Sequence, residues 1–263
     1  MNLKKNFMRK SKTLYKWRKN SPAKICCLQH YIPSYIAHAS HFGFDCIWVD
    51  LEHKAFNDRE VQSLLYQSHL HDIDIMIRPS TLEKTKLYRY LEDGASGLLI
   101  PHVSSVEKAE YLVNSIKFPP KGDRGFDGAG LDSYFQINGG YNYTEIANNE
   151  TFLVVQIETL EALEEVNEIA ATEGVDCLFI GTGDLGLRIN KYGHKLNIEE
   201  SIEKIAKAAK DHNKAWGRPV INKEDIKLLY SQGALLIPYG NDLSILKNEL
   251  ERISNEIDSI INE

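Results

Sequence analysis

The sequence is poor in cysteine and contains no long hydrophobic run. Its four cysteines form no Cys-x-x-Cys pair, so neither a disulfide framework nor a cysteine-rich metal site is indicated. Each cysteine lies in or beside an apolar segment, and we expect all four to be buried free thiols. No stretch approaches the ~18 consecutive apolar residues of a membrane helix, and no secretory signal is recognisable. These absences predict a cytoplasmic protein with no membrane partner.

Acidic residues outnumber basic ones, except at the start of the chain. The formal net charge is −6, from 31 basic and 37 acidic residues. Residues 1–20 nevertheless hold eight basic residues and no acidic one, a composition that could contact nucleic acid or an anionic membrane. The remaining chain is strongly acidic and would repel nucleic acid. We therefore expect residues 1–20 to be a solvated basic arm and leading helix, with no nucleic-acid partner.

Length and apolar patterning favour one α/β barrel. A single (β/α)8 barrel needs about 250 residues, and this chain has 263. Eight short apolar segments alternate with segments of helical periodicity, and several are continuous hydrophobic runs, as in strands covered on both faces. We predict a (β/α)8 TIM barrel over residues 21–263, including a C-terminal helix. The predicted strands are Ile25–Gln29, Asp45–Leu51, Ile73–Arg78, Gly97–Pro101, Phe152–Glu158, Asp176–Gly181, Ala215–Ile221 and Ala234–Pro238.

Helix starts are marked by local patterns in two places. Asn57 with Glu60, and Ser104 with Glu107, have the spacing of a capping box. Residues 119–149 form a long stretch in which strand and helix patterns do not alternate. A loop of that length is either functional or disordered.

Five of the predicted strands end in polar or ionisable residues. In a (β/α)8 barrel the active site lies at the carboxyl ends of the strands, so these side chains predict a single site at one rim. Charges collected there need partners or a charged ligand, because burying them unpaired costs several kcal/mol. The strand-end residues are Asp50, Glu52 and His53, then Arg78, then His102, then Gln156 and Glu158, and finally Gly181, Thr182, Gly183 and Asp184.

Glu158 and Asp184 are the candidate metal ligands. They follow neighbouring predicted strands, so their carboxylates can meet. Two carboxylates without a histidine–cysteine cluster suit a hard cation such as Mg²⁺ or Mn²⁺. The alternative is structural, with one carboxylate capping the following helix and the other forming a salt bridge.

Arg78 and His53 are candidates for substrate binding and proton transfer. Arg78 is a permanent cation that can hold a carboxylate or an enolate in a forked geometry, or can serve a structural ion pair. His53 lies near Asp50 and could act as a base whose tautomer that carboxylate fixes, or could be structural.

Two other chemistries are disfavoured. Gly181-x-Gly183-x-x-Gly186 fits the dinucleotide-binding pattern, which must open directly onto a helix, whereas helical spacing resumes only near Ile198. Lysines lie only at the edges of predicted strands, which weakens a Schiff-base mechanism. We expect neither a nicotinamide cofactor nor an imine.

Six segments resemble the HpcH/HpaI aldolase family of metal-dependent (class II) pyruvate aldolases. They follow one another in the family's order over about residues 12–250, which makes the resemblance more specific than any single motif. The segments are 44–53 (FDCIWVDLEH), 77–80 (IRPS), 91–101 (LEDGASGLLIP), 118–125 (FPPKGDRG), 155–159 (VQIET) and 174–185 (GVDCLFIGTGDL).

The resemblance implies a barrel of the phosphoenolpyruvate/pyruvate-binding type. It also implies a homo-oligomer, a hexamer assembled as a trimer of dimers that exchange the C-terminal helix, and a divalent metal, Mg²⁺ or Mn²⁺ with Co²⁺ as a further candidate. It assigns metal binding to Glu158 and Asp184, pyruvate binding to Arg78, catalysis to His53 with the acids Asp50 and Asp93, and further substrate contacts to Gln156, Gly181, Thr182 and Gly183.

By this resemblance we expect a reversible aldol reaction that cleaves a 4-hydroxy-2-oxo acid to an aldehyde and pyruvate, or a related 2-oxo acid. The metal would act as a Lewis acid on the carbonyl, and Arg78 would stabilise the enolate oxygen. His53 would accept the 4-hydroxyl proton, with Asp50 and Asp93 orienting it.

Three departures from the family pattern keep alternatives open. Residues 181–186 read Gly-Thr-Gly-Asp-Leu-Gly where the family commonly has Gly-Pro-x-Asp-Leu-Ser, His102 replaces a residue that is often apolar, and the usual arginine after Arg124-Gly125 is missing. The alternative enzyme is a lyase or ester-forming relative acting on acyl-CoA or citrate-like acids. The alternative of another class is a non-catalytic binding or scaffold protein.

Overall fold

Eight parallel strands close into a barrel in chain order. The computed structural model describes residues 9–261. The strands are β1 (Ala23–Leu28), β2 (Cys46–Asp50), β3 (Asp74–Arg78), β4 (Gly97–Ile100), β5 (Phe152–Ile157), β6 (Cys177–Ile180), β7 (Ala215–Gly217) and β8 (Leu236–Asn241). Each pairs in parallel with the next, and β8 pairs with β1. The predicted (β/α)8 fold is confirmed.

Strand β7 is shorter than the sequence pattern predicts. It ends at Gly217, although the apolar run suggested a strand as far as Ile221. Pro219 has no N–H to donate, so the ladder is interrupted there, and a single bridge between Val220 and Tyr239 follows. Gly217 also lies against β8 so closely that a Cβ would be 1.7 Å from the carbonyl oxygen of Leu236.

The helices surround the barrel and several begin with side-chain caps. They are α1 (Lys12–Arg18), α2 (Pro33–His41), α3 (Asp58–Leu70), α4 (Lys84–Glu92), α5 (Val106–Ile116), α6 (Tyr141–Glu150), α7 (Leu160–Glu164), α8 (Val166–Ala171), α9 (Thr182–Tyr192), α10 (Ile198–Asp211), α11 (Lys223–Ser231) and α12 (Asp242–Ile261). The capping box of Asn57 and Glu60 is confirmed at α3. The one expected at Ser104 is wrong, because Ser105 caps α5 by accepting from the Lys108 amide.

Strands β2 to β6 are buried along their whole length. Alternate residues face the barrel interior, where Trp48 and Phe179 pack edge to face with their ring centroids 5.4 Å apart. The intervening residues face the helices and form the larger apolar cluster. Burial on both faces explains the continuous hydrophobic runs in the sequence. The four cysteines are buried and free, as predicted.

Helix α1 packs against the amino-terminal end of the barrel. Leu14 and Trp17 join the apolar cluster of the barrel interior. Asp74, the first residue of β3, accepts hydrogen bonds from the Ser11 hydroxyl at 2.7 Å and the Thr13 amide at 2.8 Å. The expectation of a purely solvated leading helix is therefore wrong for this face of α1. Residues 1–8, which carry part of the predicted basic arm, lie outside the described residues.

Residues 119–149 are ordered around a buried ion pair. Arg124 donates to Asp132 at 2.9 Å, and the Tyr143 hydroxyl donates to the same carboxylate. The Arg124 guanidinium also lies 4.4 Å from the centroid of the Phe118 ring. A short 3-10 helix (Leu131–Ser133) and α6 lie within this stretch.

Helix α12 ends the described chain and leaves an apolar stripe exposed. Asp242 is its buried residue, while Leu246, Leu250, Ile253 and Ile257 are between 41% and 57% exposed. None of the helices in residues 9–261 combines the length and the apolar character needed to cross a membrane.

Candidate active site

Arg78 and Asp50 form a buried, two-point ion pair at the carboxyl ends of β3 and β2. The two residues are register partners. The Nε of Arg78 donates to Asp50 Oδ1 at 2.9 Å and a terminal nitrogen donates to Oδ2 at 2.8 Å. The guanidinium also lies 4.6 Å from the centroid of the Trp48 ring in the barrel interior. This forked contact holds the guanidinium in one orientation at the rim.

Asp50 serves as an ionised acceptor. Burial would raise the pKa of the Asp50 carboxyl, but the hydrogen bonds and the charge of Arg78 outweigh burial and lower that pKa below its usual value. The backbone amides of Glu52 and His53 point at the same carboxylate, at 3.1 Å and 3.4 Å. Asp50 is therefore fixed by Arg78 and by the turn that follows β2.

Glu52 connects the arginine to two histidines. Its Oε2 lies 3.2 Å from the second terminal nitrogen of Arg78 and 3.6 Å from His53 Nε2. Its Oε1 lies 3.3 Å from His102 Nε2. The His53 side chain is 61% exposed. The acid beside the His53 ring is therefore Glu52, whereas Asp50 meets His53 through the backbone.

Glu158 follows β5 and is almost fully buried, with 1% of its surface exposed. Its Oε1 accepts from the His102 backbone amide at 2.7 Å and lies 3.1 Å from His102 Nδ1. Its Oε2 accepts a hydrogen bond from the side-chain Nε2 of Gln156. A Cβ on Gly181 would lie 2.6 Å from this Oε2 and 2.7 Å from Glu158 Cβ, so a larger residue there would displace the Glu158 side chain.

Asp184 lies in the first turn of α9 and reaches the same part of the rim. Its Oδ1 accepts from Arg188 at 3.0 Å, one helical turn away. The same Arg188 nitrogen donates to the backbone carbonyl of Glu158 at 3.1 Å. Because one nitrogen contacts both groups, the Asp184 carboxylate and the Glu158 main chain are close neighbours.

The donor atoms around Glu158 fit a hard divalent cation. Gln156 Oε1 is buried and has no hydrogen-bond partner among the described residues. Together with the carboxylates of Glu158 and Asp184 it makes an oxygen donor set of the kind that Mg²⁺ and Mn²⁺ prefer. No group of three or more histidine, cysteine, aspartate or glutamate side chains in residues 9–261 is already arranged as a metal site. Water or substrate oxygens would have to complete the coordination.

Comparison with known proteins matches the chain to a protein family. The profile of the HpcH/HpaI aldolase/citrate lyase family matches residues 26–248. The chain belongs to the HpcH/HpaI family. It is 30% identical over 213 residues to the 4-hydroxy-2-oxo-heptane-1,7-dioate aldolase of Escherichia coli, a match that covers 80% of this chain and 81% of the relative. The prediction of an enzyme of the carbon–carbon lyase class is confirmed.

Two solved structures superpose over nearly the whole chain. The HpcH/HpaI aldolase of Desulfitobacterium hafniense has a TM-score of 0.86 at 25% identity, covering 93% of this chain and 95% of its own. The citrate synthase SbnG shares the fold, with a TM-score of 0.83 at 21% identity and coverage of 95% and 98%.

The segment after β6 differs from the sequence-based expectation. Helix α9 begins at Thr182, directly after the strand, so the prediction that helical structure resumes only near Ile198 is wrong. Gly181 is the N-cap residue of α9 and has no side chain to cap the helix. The first backbone N–H groups of α9 are therefore available to an anion. A dinucleotide fingerprint belongs to the first unit of an open sheet, whereas this turn follows the sixth strand of a closed barrel.

The Asp93 carboxylate makes no hydrogen bond or ion pair with His53 among the described residues. Asp93 is the C-cap residue of α4. The helix begins at the rim, so Asp93 lies at its opposite end. Its carboxylate accepts from Gln62 on α3 at 2.8 Å. The role that the HpcH/HpaI resemblance assigns to Asp93 therefore stays a prediction.

The sequence assigned no catalytic or binding role to three residues that lie at the rim of the barrel. They are Glu52, His102 and Arg188. Glu52 is two residues after Asp50, a spacing that places side chains on one side of an extended segment and could have indicated that the two share a side. Arg188 is four residues after Asp184, a spacing that pairs side chains on a helix, but no helix was expected there. The contact of His102 with Glu158 joins the ends of two neighbouring strands and has no local signal.

Asp50→Asn should destabilise the fold by about 3 kcal/mol near pH 7, because it leaves the buried Arg78 charge with Glu52 alone. The pKa of Asp50 is lowered in the folded protein. Its ionised form therefore stabilises the fold above the pKa of an unfolded aspartate, about 3.9, and this stabilisation is lost as pH falls through the lower folded pKa. Urea unfolding measured at a series of acid pH values gives the free energy of unfolding of each protein. The difference between wild type and variant should shrink as the pH falls.

The exposed Asp211, paired with Lys207 on α10, offers the matched control. Asp211→Asn should leave the free energy of unfolding within about 0.5 kcal/mol of wild type. An Asp50→Asn variant as stable as wild type at neutral pH would contradict the described role of the ion pair.

Proposed function

We propose that this chain is a divalent-metal-dependent aldolase that reversibly cleaves 4-hydroxy-2-oxo acids to an aldehyde and pyruvate, or a related 2-oxo acid. The observation that carries the proposal is the position of the Arg78 guanidinium, held by Asp50 at the same rim as the oxygen donors around Glu158. The similarity to an aldolase of a 4-hydroxy-2-oxo acid supports the substrate class.

Glu158, Asp184 and Gln156 Oε1 would hold the cation. When bound, it would act as a Lewis acid on the carbonyl of the 2-oxo acid. Asp184 is paired with Arg188, so it would exchange part of that ion pair for the new contact. Because the Asp184 side chain is 48% exposed, such a change needs little rearrangement of the core.

Arg78 would stabilise negative charge on the substrate. A guanidinium has five N–H donors. Two of them donate to Asp50, and the second terminal nitrogen lies 3.2 Å from Glu52 Oε2, which leaves at least one N–H on each terminal nitrogen of Arg78. These donors suit the enolate oxygen, where charge develops during cleavage, and they need no reorientation because the fork is already fixed.

His53 would accept the proton of the 4-hydroxyl group, directly or through water. Its ring is exposed at the rim and lies beside Glu52, which would orient it and stabilise its charged form. Asp50 would contribute by holding Arg78 rather than by contacting the ring. The substrate carboxylate would bind the backbone amides of Gly181, Thr182 and Gly183, where the start of α9 favours an anion.

Pyruvate release from 4-hydroxy-2-oxo acids tests this function. We expect release that needs Mg²⁺ or Mn²⁺ and stops on addition of a chelator. His53→Asn should lower the rate about 10²–10⁴-fold, since it removes the general base. His41→Asn, at the far end of α2, is the matched control and should retain wild-type activity.

Three outcomes would contradict the proposal. Undiminished activity without metal would exclude a class II aldolase. Turnover of acyl-CoA or citrate-like acids without turnover of any 4-hydroxy-2-oxo acid would support the alternative enzyme. Metal binding without any turnover would support a binding protein.

We propose that a second copy of the chain covers α12. Its exposed apolar residues recur three and four positions apart, a spacing that places them along one seam of a helix. The seam consists of Leu243, Leu246, Leu250, Ile253, Ile257 and Ile260, each at least 41% exposed. The same helix contacts its own barrel mainly near β8. The trimer of dimers implied by the family resemblance would bury this seam.

Light scattering after size-exclusion chromatography measures the assembly. We expect a hexamer for the wild type, and a smaller species for the double variant Leu246→Glu with Ile253→Glu, because charges in the seam oppose burial. Lys247→Glu, outside the seam, should leave the mass unchanged. A monomeric wild-type protein would contradict the proposal.

A further inference from the structure

His102 lies between the two halves of the candidate site. It follows β4 and has a left-handed backbone conformation, with φ of +53°, which is uncommon for a residue other than glycine. Its ring lies between two carboxylates, with Nδ1 3.1 Å from Glu158 Oε1 and Nε2 3.3 Å from Glu52 Oε1. Its backbone amide donates to the same Glu158 oxygen at 2.7 Å. The main chain and the ring are therefore both directed at Glu158.

The distance between His102 Nδ1 and Glu158 Oε1 suits two ligands of one metal ion. Neighbouring corners of an octahedron with metal–ligand bonds of about 2.1 Å are about 3.0 Å apart. The observed separation is 3.1 Å. The His102 side chain is 48% exposed, so its ring is open to solvent, whereas the Glu158 side chain is buried.

Glu52 occupies the position of an outer partner to such a ligand. A metal-bound histidine nearly always donates its second ring N–H to a carboxylate or carbonyl, which fixes the ring and its tautomer. His102 Nε2 faces Glu52 Oε1, and the other oxygen of Glu52 contacts Arg78. A nitrogen ligand at His102 would thus be linked through one carboxylate to the proposed substrate-binding arginine.

We propose that His102 Nδ1 is a nitrogen ligand of the divalent ion at Glu158, with Glu52 as its outer partner. The proposal rests on the proposed function in so far as that function needs an ion at Glu158. An imidazole ligand binds Co²⁺ and other later transition metals better than it binds Mg²⁺. His102 therefore shifts the preference of the site away from the Mg²⁺ that an all-oxygen set would favour.

Pulsed electron paramagnetic resonance of the wild-type protein loaded with Mn²⁺ alone tests the ligand directly. A bound imidazole gives a ¹⁴N coupling to the Mn²⁺ electron spin, and we expect that coupling. It should disappear in His102→Phe and in His102→Asn, and remain in the control His41→Phe. Either His102 variant suffices if the other fails to fold.

Calorimetric titration with Co²⁺ and with Mg²⁺ supplies the second readout. Loss of His102 should weaken Co²⁺ binding at least 10–100-fold and Mg²⁺ binding by a smaller factor. Bound Mn²⁺ without ¹⁴N coupling, or a coupling that survives in both His102 variants, would overturn the assignment of His102 and leave the proposed function intact. Failure of the wild type to bind any of the three ions would instead overturn the metal-dependent function.

Discussion

The site is organised by the need to neutralise four carboxylates at one end of a barrel. Closure of the sheet brings the ends of neighbouring strands together, and Asp50, Glu52, Glu158 and Asp184 all arrive there. Ionised carboxylates in a partly buried rim are unstable without partners. Two arginines supply positive charge, and a histidine ring lies between two of the carboxylates. Arg78 forms ion pairs with Asp50 and Glu52, and Arg188 forms one with Asp184. The ring of His102 lies between Glu52 and Glu158.

The charged residues at the rim form two groups that contact each other. The half on β2 and β3 is built around a fixed guanidinium and an exposed histidine, which suits substrate binding and proton transfer. The half on β5 and α9 is built from oxygen donors, among them a buried amide oxygen without a hydrogen-bond partner in the described chain. His102 and Glu52 join the halves through side chains in contact.

The barrel and most of the rim residues could be predicted because their signals are local. Continuous apolar runs mark strands buried on both faces, and in a barrel the residue after each strand must lie at one rim. The start of α9 was missed because Gly183, Gly186 and Gly193 obscure its periodicity. Glu52 and His102 were named as strand-end residues, but their contacts join different strands and depend on register, which one sequence does not reveal. Asp93 was assigned by resemblance alone, and within the described chain its carboxylate contacts Gln62, so its role stays a prediction.

Exchange of the pyruvate methyl protons for deuterium tests most directly whether the two halves act together on a 2-oxo acid. The exchange requires enolate formation and needs no aldehyde. We predict that proton NMR in deuterated buffer shows loss of the methyl signal when the protein and Mn²⁺ or Mg²⁺ are both present, and that chelation or Glu158→Gln stops it. Exchange that continues undiminished without metal, or no exchange when the ion is bound, would contradict the proposed chemistry.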